Sequence, residues 1–296
     1  MQFNSNEYTT SFHPTLVRIS SLKTTLSSHF PLPQRILSSH PVFFRIFAFL
    51  TPFPMFHFGL IGKSLQHSFS QIYFAERYPQ CSYSLFELPS INNLIAWILD
   101  NNLNGFNVTI PFKQAIIPLL DSLTPEAQVI GAVNCVKVNP LSDGTITLIG
   151  HNTDAPAFQQ SLKAILTPDH TQAIILGNGG AAQAVKHALN NLGISHSTLS
   201  HQQIDQLHDK PLPPHDILIN ATPVGTFPNI SVSPISKRSL IHNHPPHTSS
   251  PICFDLVYNP QPTALISLAS SLGYITRNGL EMLHRQADLS YLFWTA

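Results

Sequence analysis

A short glycine-rich segment at 177–182 constrains the fold of this chain more than any other feature of its sequence. It follows an apolar run at 172–176 that is typical of a buried strand, and it precedes a stretch whose apolar residues recur with the helical period. In a G-x-G-x-x-A pattern between a strand and a helix, Gly177 permits a tight turn, Gly179 lets a pyrophosphate approach the backbone, and Ala182 allows close helix packing. The segment predicts a dinucleotide-binding unit; the alternative is a glycine turn that serves packing alone.

From residue 58 onward, short apolar runs alternate with helical patterns, which is typical of an α/β protein. Thr124 and Pro125 mark one helix start, because threonine is a favoured N-cap and proline suits the first helical position. The sequence thus predicts an α/β fold. Predicted strands lie at 58–62, 82–87, 105–109, 133–138, 145–149, 172–176, 194–199, 215–219 and 252–256. Predicted helices lie at 70–78, 90–101, 112–121, 154–166, 262–272 and 279–293, in addition to those that begin after Thr124 and after the glycine-rich segment.

Charge and cysteine content limit the class of partner. Lysine plus arginine and aspartate plus glutamate both total 15, so no basic field attracts nucleic acid or an anionic membrane surface. The three cysteines are far apart and form no C-x-x-C pair, which predicts reduced thiols in a cytoplasmic protein. His242, His244 and His247 have a ligand-like spacing, but they lie among prolines in a predicted loop at 242–251, so no metal site is predicted. The expected partner is a small molecule.

The first 55 residues differ in composition from the rest of the chain. They are rich in Ser, Thr, Pro, His and Phe, and a single acid, Glu7, accompanies the basic residues Arg18, Lys23, Arg35 and Arg45. The segment 1–55 is predicted to be a disordered N-terminal extension or a stretch upstream of the true start. An organelle transit peptide, which is also rich in Arg and Ser and poor in acids, is the alternative.

Two charged side chains and two hydroxyls stand where strands give way to helices. Lys113 follows the predicted strand 105–109, in the first turn of a helix, where the dipole disfavours positive charge. Asp154 begins the helix that follows another strand. Taken alone, Lys113 reads as a solvated lysine and Asp154 as an N-cap. Ser68 and Ser70 would point the same way in an extended segment and could hold a carboxylate, or else they form an N-cap turn.

Taken together, these motifs closely resemble the shikimate dehydrogenase family over nearly all of residues 56–296. The motifs are S-x-S at 68–70, N-V-T-I-P-F-K at 107–113, G-A-V-N at 131–134, N-T-D at 152–154, the glycine-rich segment, N-A-T-P at 220–223, Y-N-P at 258–260, and N-G-L-E-M-L at 278–283 followed by Gln286 and Ala287. The resemblance implies two domains with the active site between them, and a C-terminal helix that returns to the substrate domain. The expected domains are an α/β substrate-binding catalytic domain at 56–154 plus 279–296 and a Rossmann-like NADP-binding domain at 155–278.

The resemblance also implies a reaction and a role for individual residues. The reaction is the reversible NADPH-dependent reduction of 3-dehydroshikimate to shikimate, on the pathway to chorismate and the aromatic amino acids. Lys113 and Asp154 would form the catalytic pair, and Ser68 and Ser70 would hold the substrate carboxylate. The other implied substrate contacts are Thr109, Asn134, Tyr258 and Gln286. The implied cofactor contacts are Gly177, Asn178, Gly179, Gly180, Ala181, Leu256 and Gly279.

The segment after the second cofactor strand departs from the family pattern. In the family this strand commonly ends in Asn-Arg-Thr, whose arginine binds the 2′-phosphate of NADP. Here 197–202 contains no arginine, and no Asp or Glu lies between the glycine-rich segment and Asp205. Ser200, His201 and Gln202 can still hydrogen-bond a phosphate. NADP is therefore the predicted cofactor, with a modest preference over NAD that weakens as the pH rises.

Two other functions compete with this one. The first is an NAD-preferring quinate/shikimate dehydrogenase, and the second is a non-catalytic nucleotide-binding regulatory module. The presence of both Lys113 and Asp154 argues against the module. A homodimer is a possible assembly.

Overall fold

The computed structural model describes residues 56–66, 68–207, 210–241 and 249–296. The predicted extension at 1–55 and the three spaced histidines His242, His244 and His247 lie outside these residues. The described chain has the predicted α/β fold, built on two sheets. Its strands are β1 (Phe56–Gly62), β2 (Cys81–Glu87), β3 (Gly105–Val108), β4 (Ser122–Leu123), β5 (Cys135–Pro140), β6 (Ile146–His151), β7 (Gln172–Leu176), β8 (Ser195–Leu199), β9 (Ile217–Asn220), β10 (Ile252–Asp255) and β11 (Ile275–Asn278).

Helices alternate with these strands along the chain. They are α1 (Ser70–Arg77), α2 (Leu94–Asp100), α3 (Phe112–Ala115), α4 (Pro125–Ile130), α5 (Asp154–Lys163), α6 (Gly180–Asn191), α7 (His201–Leu207), α8 (Lys237–Leu240), α9 (Ala264–Ser271) and α10 (Leu280–Thr295), with a 3-10 turn at Ile117–Leu119. Within the described residues, no helix is long and apolar enough to cross a membrane.

The second sheet is the Rossmann-like sheet that the glycine-rich segment predicts. Its five strands are all parallel, in the order β11-β10-β9-β7-β8. Alternate residues face opposite layers: Ile175 packs with Val185 of α6, while Ile174 packs with Leu265 of α9. The strand order reverses between β7 and β9, so the loops that follow these two strands run in opposite directions away from each other. They leave a crevice at the carboxyl ends of the strands in which a ligand can bind.

The first sheet is mixed, and the C-terminal helix packs against it. Strand order is β2-β1-β3-β5-β6-β4, and β5 runs antiparallel to both its neighbours. Trp294 of α10 stacks on Phe58 with ring centroids 4.3 Å apart and donates its indole N–H to the carbonyl of Val136 at 2.9 Å. A side chain at Gly105 would collide with the Trp294 ring. The helix therefore returns to the first sheet, as the resemblance implies, while the exact domain boundaries stay a prediction.

The structure differs from the predicted elements in a few places. The predicted helix 112–121 ends at Ala115 and gives way to a 3-10 turn, because Pro118 has no N–H to donate to the carbonyl one turn earlier. Helix α7 is absent from the predicted elements, and it starts with a capping box in which Ser200 and Gln203 each accept the other's backbone N–H. Also absent are β4, α8 and β11, which are short. The predicted N-cap at Thr124 is confirmed, since its hydroxyl accepts the N–H of Ala127.

Candidate active site

A cavity of about 590 Å³ opens where the carboxyl ends of strands from both sheets meet. Its wall includes the segment after β3, the first residue of α5, and the loops after β9 and β10. All eight residues that the resemblance assigned to catalysis or substrate binding line it: Ser68, Ser70, Thr109, Lys113, Asn134, Asp154, Tyr258 and Gln286. Three of the expected cofactor contacts line it as well: Ala181, Leu256 and Gly279.

Lys113 and Asp154 form a buried ion pair in this cavity. The lysine Nζ lies 2.5 Å from Oδ2 of the aspartate, and the two side chains are 14% and 8% exposed. The other carboxylate oxygen accepts a hydrogen bond from Asn134 Nδ2 at 3.0 Å. Asn152, not Asp154, caps α5, because its side chain accepts the N–H of Ala155 at 3.0 Å. The carboxylate in the first turn of α5 is thus free to hold the ammonium, and the helix dipole favours its charge.

The glycine-rich segment lies directly against Lys113. A Cβ on Gly180, the first residue of α6, would come within 2.8 Å of Cβ of Lys113. Gly177 has a φ of 100°, and a Cβ there would lie 2.9 Å from the methyl group of Thr222. No side chain caps the N-terminus of α6 at Gly179, so the free N–H groups of its first turn face outward. These residues fit the diphosphate of a dinucleotide, which helix N-termini and small residues accommodate.

Hydroxyl groups gather at another part of the cavity wall. Tyr258 and Ser68 both line this part of the wall, and the Tyr258 ring lies 5.4 Å from that of Phe69. Burial raises the pKa of Tyr258, so its phenol stays protonated and can donate to an anion. Ser68 Oγ also accepts the N–H of Ser70 at 3.3 Å, so the turn before α1 and a hydroxyl pair at the cavity coexist.

Ser200, His201 and Gln202 do not line the cavity. They stand at the start of α7, one strand away from the glycine-rich segment, and Gly177 N–H donates to the carbonyl of Leu199 at 2.8 Å. The His201 Nδ1 atom lies 3.0 Å from an oxygen of Asp205, with both side chains largely exposed. Asp205 is visible in the sequence as the first acid after the glycine-rich segment, but its contact with His201 is not. Within the described residues, no group of three or more His, Cys, Asp or Glu side chains is placed to hold a metal ion.

Several residues around the cavity received no role from the sequence. Asn107, Thr222, Thr226 and Met282 line it, although three of them lie within the motifs at 107–113, 220–223 and 278–283. Behind the wall, Thr153 and Ser290 are fully buried and hydrogen-bonded to each other at 3.1 Å. No sequence pattern distinguishes Ser290 from any other serine.

A buried carboxyl beneath the cavity predicts a pH-dependent stability. Asp255 ends β10 and accepts hydrogen bonds from Asn220 Nδ2, Val257 N and Thr263 Oγ1 at 2.9, 3.0 and 2.6 Å. Burial nevertheless raises its pKa from 3.8 to about 6, with the hydrogen bonds acting in the opposite direction. Because the folded protein binds this proton more tightly than the unfolded chain, the stability it contributes is complete below about pH 4 and is lost as the pH rises through 6.

The Asp255→Asn variant should lack this dependence. Between pH 4 and 6, the free energy of unfolding of the wild type is expected to fall by about 2 kcal/mol relative to that of the variant. Urea denaturation of both proteins at half-unit pH intervals measures the difference. Parallel curves for the two proteins over this range would contradict the assignment.

Comparisons with known proteins agree with this arrangement. Residues 60–136 match a family model described as the shikimate dehydrogenase substrate binding domain. A shikimate dehydrogenase (NADP(+)) from Nostoc sp. is 32% identical, over 80% of this chain and 89% of that protein. The crystal structure of shikimate dehydrogenase 1 from Peptoclostridium difficile has a TM-score of 0.70 at 32% identity, over 81% of this chain and 92% of that one. Shikimate 5-dehydrogenase from Thermus thermophilus, solved in complex with NADP(H) and shikimate, has a TM-score of 0.65 at 30% identity, over 81% and 94%.

Proposed function

The chain belongs to the shikimate dehydrogenase family, and we propose on this premise that it catalyses the reversible, NADP-dependent oxidation of shikimate to 3-dehydroshikimate. The reaction is a step of the shikimate pathway to chorismate and the aromatic amino acids. The similar shikimate dehydrogenase (NADP(+)) from Nostoc sp. matches 80% of this chain, and the similar structure from Thermus thermophilus contains both NADP(H) and shikimate. The observation that carries the proposal is the buried Lys113–Asp154 pair, which lines the cavity next to the first turn of α6.

Lys113 and Asp154 account for the proton transfer. When bound, the reduced nicotinamide supplies a hydride to the C3 carbonyl carbon of 3-dehydroshikimate, and the oxidised nicotinamide takes it back in the reverse reaction. As the carbonyl oxygen gains negative charge, the Lys113 ammonium donates a proton to it. The Asp154 carboxylate holds that ammonium in place at 2.5 Å, and solvent returns the proton to the lysine after each turnover. In the direction of oxidation, the lysine accepts the proton of the C3 hydroxyl.

Three hydroxyl groups are proposed to hold the substrate carboxylate. Ser68, Ser70 and Tyr258 line the cavity, and each can donate one hydrogen bond to a carboxylate oxygen. Thr109, Asn134 and Gln286 are proposed to contact the ring hydroxyls. Binding at several points would orient the C3 carbon toward Ala181, Leu256 and Gly279, the residues of the cavity wall that would hold the cofactor.

A four-way assay tests the proposed function. Purified protein is supplied with shikimate or quinate and with NADP+ or NAD+, and reduced cofactor is followed by absorbance at 340 nm. We expect the highest kcat/KM for the shikimate and NADP+ combination. A higher kcat/KM with quinate and NAD+ would favour the quinate-type enzyme, and no rate above the blank in any combination would leave the nucleotide-binding module as the better function.

Cofactor choice is proposed to depend on Ser200, His201 and Gln202, in the absence of an arginine. A protonated imidazole attracts the 2′-phosphate more strongly than a neutral one, so the attraction weakens as the proton concentration falls. Asp205, 3.0 Å from His201, places a like charge near the same phosphate. We expect the NADP+ to NAD+ ratio of kcat/KM to fall between pH 6.5 and 8.5.

The Asp205→Asn variant should prefer NADP+ more strongly than the wild type. Removing one exposed like charge should strengthen the interaction with the 2′-phosphate by up to about 1 kcal/mol, which raises the NADP+ to NAD+ ratio of kcat/KM roughly fivefold. Asp100→Asn, an exposed change on α2, serves as the control and should leave the ratio unchanged. An unaltered ratio in Asp205→Asn, combined with a pH-independent preference, would mean that another residue discriminates between the cofactors.

We also propose a cytoplasmic location. Cys81, Cys135 and Cys253 are all unpaired and buried, as suits a reducing compartment. The homodimer stays a prediction, for which sedimentation velocity is the direct measurement.

A further inference from the structure

A series of buried hydrogen bonds joins the C-terminal helix to the Asp154 carboxylate. Ser290 of α10 is fully buried, and its Oγ lies 2.8 Å from Asn107 Nδ2 and 3.1 Å from Thr153 Oγ1. Thr153 Oγ1 in turn lies 2.9 Å from Asn134 Nδ2, which lies 3.0 Å from Asp154 Oδ1. Neither Ser290 nor Thr153 lines the cavity. A residue that touches neither the cavity nor Lys113 is thus connected to the proposed catalytic pair.

Backbone groups fix the direction of these hydrogen bonds. The Thr153 N–H donates to Asn134 Oδ1 at 2.7 Å, so the Asn134 amide nitrogen must point toward Asp154. The Ser290 hydroxyl donates to the carbonyl of Gln286 at 2.7 Å. Since a serine hydroxyl has a single proton, the Ser290 oxygen can only accept from its other neighbours.

Ser290 is therefore an acceptor that two donors share. Asn107 Oδ1 already accepts the Tyr83 hydroxyl at 2.8 Å, so the Asn107 amide nitrogen faces Ser290 and donates to it. The Thr153 hydroxyl, which accepts from Asn134, completes its own bonding by donating to Ser290. With Ser290 present, the side-chain polar atoms of Asn107, Thr153 and Ser290 all have hydrogen-bond partners. A buried donor left without a partner would lower the free energy of unfolding by about 1–3 kcal/mol.

We infer that Ser290 is a positioning residue for the Lys113–Asp154 pair, an inference that rests on the proposed function of that pair. Without the Ser290 oxygen, the Thr153 hydroxyl must donate to another acceptor, and Asn134 Oδ1 lies 3.3 Å away. That bond competes with the Thr153 N–H which orients the Asn134 amide. The Asp154 carboxylate then loses its fixed donor, and Lys113 loses the partner that directs its ammonium.

Ser290 is not needed to dock the helix that carries it. Trp294 anchors the end of α10 through its stack on Phe58 and its bond to Val136, and Met282 anchors the start in the core of the parallel sheet. Loss of the hydroxyl should thus change the geometry of the pair while the fold persists.

The test compares Ser290→Ala with Ser161→Ala in the full chain. Ser161, on α5, is also fully buried, but its hydroxyl has no hydrogen-bond partner among the described residues, so the same substitution there removes no bond. We expect Ser290→Ala to lower kcat by about 10- to 100-fold, as small misplacements of catalytic groups do, with the KM for NADP+ within about twofold of wild type. Ser161→Ala should keep the wild-type kcat. A kcat of Ser290→Ala within about twofold of the Ser161→Ala value would overturn the inference.

Substitutions at Thr153 separate positioning from packing, and they remain available if Ser290→Ala does not fold. Thr153→Val removes the hydroxyl at nearly constant size and should lower kcat as Ser290→Ala does, whereas Thr153→Ser keeps the hydroxyl and should restore most of the wild-type rate. In the double variant Ser290→Ala with Thr153→Val, kcat should be no lower than in the slower single variant, because both changes break one series of bonds. Equal loss in Thr153→Val and Thr153→Ser would contradict a role for the hydroxyl.

A crystal structure of Ser290→Ala gives a readout that does not depend on turnover. We expect a rotated Asp154 carboxylate and a longer separation between Lys113 Nζ and Asp154 Oδ2. An unchanged pair in that structure would overturn the inference. An inactive wild type would instead contradict the proposed function, and the geometry of the pair in the two structures would still decide the positioning role.

Discussion

Replacing Lys113 with alanine is expected to lower kcat for shikimate oxidation by about 10²- to 10⁴-fold, the usual loss when a positioned proton donor is removed. The effect should fall on kcat more than on the KM for shikimate, because the ammonium is needed most when charge develops on the C3 oxygen. The substitution keeps the Cβ that packs against Gly180, so the contact between α3 and the glycine-rich segment should survive.

Steady-state kinetics with a matched lysine variant make this test specific. Lys163→Ala changes an exposed lysine on α5, the helix that begins with Asp154, and should leave kcat unchanged. Melting temperatures of both variants show whether the fold is intact. A Lys113→Ala enzyme with wild-type kcat would contradict the proposed role of the lysine.

Replacing Asp154 with asparagine should lower kcat by about 10²-fold, and it should also destabilise the fold. The Lys113 side chain is only 14% exposed, and its ammonium would be left without an anionic partner, which for a buried pair costs about 3–5 kcal/mol. An asparagine whose amide oxygen faces Lys113 would turn its amide nitrogen toward Asn134 Nδ2, which is itself a donor. One of the two hydrogen bonds of the carboxylate is lost in either orientation.

The combined variant tests whether the two residues act as a unit. Lys113→Ala with Asp154→Asn should be about as slow as Lys113→Ala alone, because a carboxylate that orients an ammonium has no further effect once the ammonium is gone. Asp143→Asn, in an exposed turn, is the matched control and should keep both kcat and melting temperature. Strictly multiplicative losses in the combined variant would indicate that Asp154 acts independently of Lys113.

Local patterns in the sequence predicted most of the elements around the site. The strand at 172–176 was predicted with the bounds that β7 has, because a strand buried on both faces is a continuous apolar run bounded by polar and glycine residues. Short elements such as β11 were missed, because four residues give too brief a pattern and the strand is fixed by its pairing with β10. α7 was missed although the capping box that starts it is visible in the sequence.

The sequence by itself determined which chemical groups are present and in what order, because each motif is a few consecutive residues whose turn, cap or strand end is encoded locally. Only the tertiary structure decided which of these groups meet. Lys113 and Asp154 are 41 residues apart and meet across the first sheet, and Ser290 reaches Thr153 across 137 residues once α10 packs on that sheet. The Ser290 hydroxyl donates within its own helix, but the two groups that donate to its oxygen, from Asn107 and Thr153, come from distant segments of the chain that the sequence near position 290 does not reveal.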